Sequence, residues 1–150
     1  MSEELHHQID EWASTMLAKV EPAARLKLAQ TIGRDLRRTN QARIRAQTNP
    51  DGTPFEPRKR QPKRRKKGSI RRRMFQRLAS AKHMKIRATS EGVMMGFFGR
   101  AARIARVHHE GQMDQVLDGG PTVKYPARKL LGFTDADREM IRGHLLESLK

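Results

Sequence analysis

No cysteine occurs in the 150 residues, so neither a disulfide framework nor a thiolate metal site can hold this chain together. Aromatic side chains are scarce as well: one Trp, one Tyr and five Phe make up 5% of the sequence. There is no long hydrophobic run. The longest apolar stretch, Val93 to Phe98, falls far short of the roughly 20 residues that a membrane-spanning helix needs. The first residues carry acid and an amphipathic pattern rather than a basic end followed by an apolar stretch. No signal peptide is therefore expected, and the protein should be soluble and made in the cytoplasm.

Apolar residues make up only 36% of the chain and charged residues 32%, where a globular domain usually has about 45–50% apolar content. A chain of this length suffices for one core and not two, so residues 1–150 are read as a single domain with a modest core and solvated or partner-covered parts. What the sequence has in excess is positive charge. Lys and Arg number 32 against 16 Asp and Glu, a formal charge of +16. Eleven of the sixteen residues from 58 to 73 are basic and none is acidic. They are Arg58, Lys59, Arg60, Lys63, Arg64, Arg65, Lys66, Lys67, Arg71, Arg72 and Arg73. A block of like charge repels itself, stays hydrated and awaits a polyanion or an acidic protein face.

Leu5, Ile9, Trp12, Met16 and Val20 recur at steps of three and four, with Glu3, Glu4, Asp10 and Glu11 in the first turn or on other faces, which predicts an amphipathic helix. Pro22 suits the first turn of a second helix, expected from about Pro22 to Gln47, and the tight join makes an αα-hairpin. The run from Thr48 to Pro54 is dense in turn formers and must end that helix. A basic loop then spans about residues 49–68, with Phe55 as an apolar pin to the body. Ser69 is expected to cap a short helix that places Ile70, Met74, Leu78 and Ala81 on one face.

The period then changes. Met84, Ile86 and Ala88 alternate with polar residues, Ser90-Glu91-Gly92 turns, and Val93, Met95 and Phe97 alternate again, which predicts two antiparallel strands. A helix from Arg100 to His109 should stop at Gly111. Asp118-Gly119-Gly120-Pro121 should turn between a strand at Gln115 to Leu117 and another at Thr122 to Tyr125. Thr134 should cap a last helix bearing Ile141, Leu145 and Leu149 as a buried stripe. The fold class is α+β: an N-terminal helical hairpin and a C-terminal helix packed beside a small antiparallel sheet, with a long basic loop.

Catalytic patterns are missing. No P-loop, nucleophile elbow or paired-carboxylate motif is present, so an enzyme is not expected. His108-His109-Glu110 is the one metal-like cluster, yet neighbouring helical side chains point about 100° apart, so the two rings do not readily share an ion. No metal and no cofactor are expected. One of these histidines should close its helix against Tyr125 or a neighbouring subunit, with the other solvated. The basic run can be a solvated loop, a nucleic-acid tether or an arm docking on an acidic protein. With only Phe55 and Phe75 flanking it, any nucleic acid would be held by charge without reading sequence.

Several stretches, taken in order, carry a resemblance. They are Asn49-Pro50-Asp51-Gly52 with Phe55 and Pro57, Arg71 to Phe75, Val93 to Gly111, Gly119-Gly120-Pro121, and Tyr125-Pro126-Ala127-Arg128 leading to Leu130-Leu131-Gly132-Phe133. Over about residues 5 to 149 the chain resembles the phage virion morphogenesis family, and within it the tail completion proteins of contractile-tailed phages. Gly99-Arg100-x-Ala102-x-Ile104-Ala105-x-Val107-His108, then Gly111 and the Tyr-Pro-Ala-Arg corner, is the most telling piece. The family often has Trp where Phe55 stands, and the basic run here is unusually dense.

The resemblance implies a structural virion assembly protein that completes the tail at its head-proximal end and prepares head-tail joining. Tail completion and tail terminator proteins of this kind often form homo-oligomeric rings, commonly hexamers. Expected partners are thus further copies of the chain, tail tube or sheath, head-neck proteins and DNA in the channel, with no membrane. Its expected place is the head-proximal end of the virion tail, after assembly in the host cytoplasm. In such a ring the basic run would meet DNA or clamp acidic tail proteins, and docking on protein is preferred. His108, His109, Tyr125, Pro126 and Arg128 are candidates for a subunit interface or structural corner. The alternative function is a sequence-independent nucleic-acid-binding protein using residues 58–73.

Overall fold

The structure is a computed structural model describing residues 2–59 and 73–150. Its elements in order are α1 (Ser2–Ala18), α2 (Pro22–Arg45), β1 (Met84–Thr89), β2 (Gly92–Phe97), α3 (Arg100–Glu110), β3 (Met113–Gln115), β4 (Thr122–Lys124) and α4 (Asp135–Ser148). Two small antiparallel sheets pair β1 with β2 and β3 with β4, so the α+β class holds.

The long helix α2 is the spine. Pro22 opens it, its missing N–H costing nothing in the first turn. Its buried positions are Ala29, Ile32, Gly33, Leu36, Asn40, Arg43 and Ile44, one stripe at steps of three, four and one. That stripe lies across the β1–β2 hairpin. A Cβ added at Gly33 would stand 2.8 Å from Val93 Cγ2, so only glycine allows the strand this near. In the hairpin Met84 pairs with Phe97 and Thr89 with Gly92, leaving a two-residue connection at Ser90-Glu91. Met84, Ile86 and Ala88 face inward while Lys85, Arg87 and Thr89 are exposed. The core proper gathers Ile44, Phe55, Met74, Leu78, Ala79, Met84, Ala101, Ala105 and Leu130.

The structure departs from expectation in four places. Residues 73–83 form turns instead of the helix expected from Ser69, because Phe75 sits at φ +65°, outside the right-handed helical region. Met74, Leu78 and Ala79 are buried all the same; Ser69 and Ile70 lie outside the described residues. β3 starts at Met113, earlier than expected, and Leu117 projects into solvent. On α4, Ile141, Leu145 and Leu149 are half-buried, the fully covered residue being Asp137. On α1, Ile9 and Trp12 remain 48% and 53% exposed, so α2 does not cover that stripe.

Candidate functional site

The region around the Tyr-Pro-Ala-Arg corner is built by polar side chains that reach across the chain to backbone. Arg43, 8% exposed, donates from Nη1 to the carbonyls of Thr48 (2.7 Å) and Lys129 (2.8 Å), and from Nη2 to Leu130 O (2.7 Å) and Asn40 Oδ1 (2.9 Å). Asn40 Oδ1 also accepts from Gly132 N, and Asn49 Oδ1 accepts from Lys129 N at 2.9 Å. One guanidinium at the end of α2 thereby fixes the path of residues 129–132. Burial lowers the Arg43 pKa, partly opposed by the negative charge of Asp137.

Arg128 performs the same task on the other side. It is buried, donates from Nε to Glu56 O (2.8 Å) and from Nη2 to Pro57 O (3.3 Å), and its own N–H bonds His108 O at 2.7 Å. Burial and the nearby Arg58 hold its pKa down. Gln47 completes the frame by bonding both backbone groups of Met74: Nε2 to Met74 O at 2.9 Å, and Met74 N to Oε1 at 2.8 Å. The chain is thus pinned at Glu56–Pro57 and again at Met74.

Between these pins lies a chain of aromatic rings. Phe55 and Phe75 meet edge-on at 5.9 Å, Phe75 and His108 at 5.0 Å, and His108 and Tyr125 at 4.8 Å. His108 Nδ1 is buried without a hydrogen-bond partner. Burial is the main reason its pKa is depressed, with Arg128 and Arg58 adding to the effect. His109 is half-buried, not solvated, and its Nδ1 accepts from Leu130 N at 3.2 Å. Its pKa is lowered by burial and then by Lys129. Gly111 ends α3 in the left-handed region, φ 69°, where an added Cβ would stand 2.9 Å from Ala127 N.

Phe75, His108, Tyr125, Pro126 and the buried Arg128 line a cleft of about 680 Å³ that also carries the exposed Arg58, Lys59 and Lys124, with Glu56 as its one acid. Of the predicted basic run only Arg58, Lys59 and Arg73 belong to the described residues, and all three are exposed. Arg60, Lys63, Arg64, Arg65, Lys66, Lys67, Arg71 and Arg72 lie outside them. A second cleft, about 650 Å³, opens between α2, β2, α3 and α4, lined by Ile32, Val93, Phe97, Phe133 and Ile141 among others. Among the described residues no three His, Asp or Glu gather as a metal site, and no helix there is long and apolar enough to cross a membrane.

Sequence reasoning placed the corner residues together but singled out neither Asn40 nor Arg43. The signal was available: positions 36, 40, 43 and 44 continue the apolar stripe of Ala29 and Ile32. Gln47 left no such signal, since its partner lies 27 residues on.

Comparison with known proteins covers nearly the whole length. A model of the phage virion morphogenesis family matches residues 5–150. Tail completion protein S of Escherichia phage P2 is 38% identical over 136 residues, covering 90% of this chain and 91% of that protein. No solved structure matches.

Proposed function

Because the chain belongs to the phage virion morphogenesis family, we propose that it is a structural tail completion subunit, acting without catalysis at the head-proximal end of the tail. There it finishes the tail and readies it for the head. The observation that carries this reading is the extent of the likeness to protein S: the two chains correspond almost end to end at 38% identity. The geometry supports it in kind. The polar chemistry of Arg43, Asn40 and Gln47 is spent on holding the chain in place, which suits a rigid subunit, and the cleft beside it offers charge and aromatic surface.

Its partners in this reading are further copies of itself in a ring, the tail tube or sheath, and neck proteins. The basic run would clamp acidic surfaces of those proteins. Nothing in the comparisons supports a free-standing nucleic-acid-binding protein.

Deleting the gene from the phage or prophage that encodes it tests the proposal. Lysates without the protein should contain filled heads and separate tails by electron microscopy, with infectivity restored by the gene in trans. Normal joined particles in its absence would end the proposal.

A further inference from the structure

Helix α1 and the body of the protein differ in charge and in packing. Ser2–Ala18 contains Glu3, Glu4, Asp10 and Glu11 but no Lys or Arg, although the whole chain carries 32 of these cations. Ile9 and Trp12 of its apolar stripe stand about half in solvent, Trp12 beside Asp10, Glu11 and a small residue, while Met16 is partly covered. An exposed Trp on an amphipathic helix is costly to leave in water and is the residue type most enriched at binding hot spots.

Two clefts could receive it, and charge decides between them. The cleft between α2 and α4 has Arg106 and Glu110 as its charged lining, which offset one another. The corner cleft presents the exposed Arg58, Lys59 and Lys124 against Glu56 alone, above the buried Arg128. Among the described residues, Arg58, Lys59 and Lys124 are exposed and form no salt bridge. Its aromatic wall of Phe75, His108 and Tyr125 supplies edges and faces for an indole. We propose that α1 of one copy docks through Trp12, flanked by Asp10 and Glu11, on the basic aromatic cleft of a second copy.

The same chain cannot satisfy its own cleft while α1 stays helical. The cleft lies at the C-terminal end of α2, where Gln47 grips Met74. A helix of 24 residues such as α2 is about 36 Å long. From Trp12 to the start of α2, six helical steps and four extended ones span at most about 23 Å. Helix face and cleft are different surfaces, so the contact is head-to-tail and can repeat around a closing ring. This rests on the ring assembly proposed above and names the residues that make it.

Trp12 is the single tryptophan of the chain, so emission excited beyond the tyrosine band reports the surroundings of this one side chain without interference from Tyr125. As concentration rises, light scattering should show association while Trp12 emission shifts to the blue and escapes acrylamide quenching. Two charge-reversed chains sharpen the test: Arg58→Glu/Lys59→Glu/Lys124→Glu, and Glu3→Lys/Glu4→Lys/Asp10→Lys/Glu11→Lys. Each alone should associate at least ten-fold more weakly than the natural chain, and their mixture should recover most of that loss because every helix then meets an opposite cleft.

The inference is overturned if Trp12 stays quenchable in the oligomer, or is shielded even in the monomer. It is equally overturned if the chain never associates, or if the mixture does no better than its parts. Complementation of the gene deletion by the natural chain scores the functional reading separately: rescue without the Trp12 contact removes this inference alone, and the contact without rescue removes that reading alone.

Discussion

Arg43 shows how much of this fold hangs on one side chain that a hydropathy pattern would discard. Its four acceptors sit on the end of α2, on the turn after it and on residues 129 and 130, so losing it leaves buried carbonyls without donors. Arg43→Met keeps the bulk and removes the bonds. It should cost about 3 kcal/mol or more in chemical denaturation. Arg43→Lys should recover little, since one ammonium cannot span the same fork.

The two adjacent histidines give a pH dependence of definite sign. Both are held below the ordinary imidazole pKa in the folded chain, chiefly by burial. Below about pH 6.5 the unfolded chain therefore takes up protons more readily than the folded one, and stability falls with pH until the folded rings also titrate. The melting temperature should drop between about pH 7.5 and about pH 5.5, and His108→Phe, which keeps a ring between Phe75 and Tyr125, should shallow that drop. The contact of one histidine with Tyr125 was legible in the sequence, whereas the edge-on contact of Phe75 with His108 was not, Phe75 lying 33 residues earlier in a turn at positive φ.

At the level of elements, local signals were most legible where the chain carries its own instructions. Thr134 caps α4 as expected, and Asp137 returns the bond: Asp137 N donates to Thr134 Oγ1 and Thr134 N to Asp137 Oδ2, each at 3.0 Å. Thr134→Ala should cost about 1 kcal/mol. Gly111 stops α3 in the left-handed conformation, as its position past the last periodic residue predicted. Gly111→Ala meets both the φ penalty and the nearby Ala127 backbone, and should cost about 2 kcal/mol. Thermal melts of each variant check both values. The two strands were legible from their alternation, but not their register: Gly92, expected in the turn, pairs with Thr89 and so brings Met84 opposite Phe97. Illegible were the elements set by distant partners. The apolar spacing of Met74, Leu78 and Ala81 mimics a helix, but tertiary contacts with Gln47 and the core hold those residues in turns.

For the whole molecule, the contrast between an acidic first helix and a strongly basic remainder matters more than the total of +16. The class of fold and the family were both readable, because helix stripes and strand alternation are local and the motifs span the chain. The openness of α1 was not, since an amphipathic stripe looks the same whether its cover comes from the same chain or another. Replacing Lys63, Arg64, Arg65, Lys66 and Lys67 by Gln relieves a block of like charge and should leave the melting temperature within about 2 °C. The same variant should lower the yield of joined particles in complementation, if the run clamps acidic tail proteins.

Gln47 and Arg128 also make the protein useful to the engineer. By gripping Met74 on one side and Glu56 and Pro57 on the other, they hold the backbone at these positions through bonds that do not depend on the side chains there. Because the chain has no cysteine, a single Glu56→Cys at this exposed, pinned position would take one label and turn a particle component into an addressable handle.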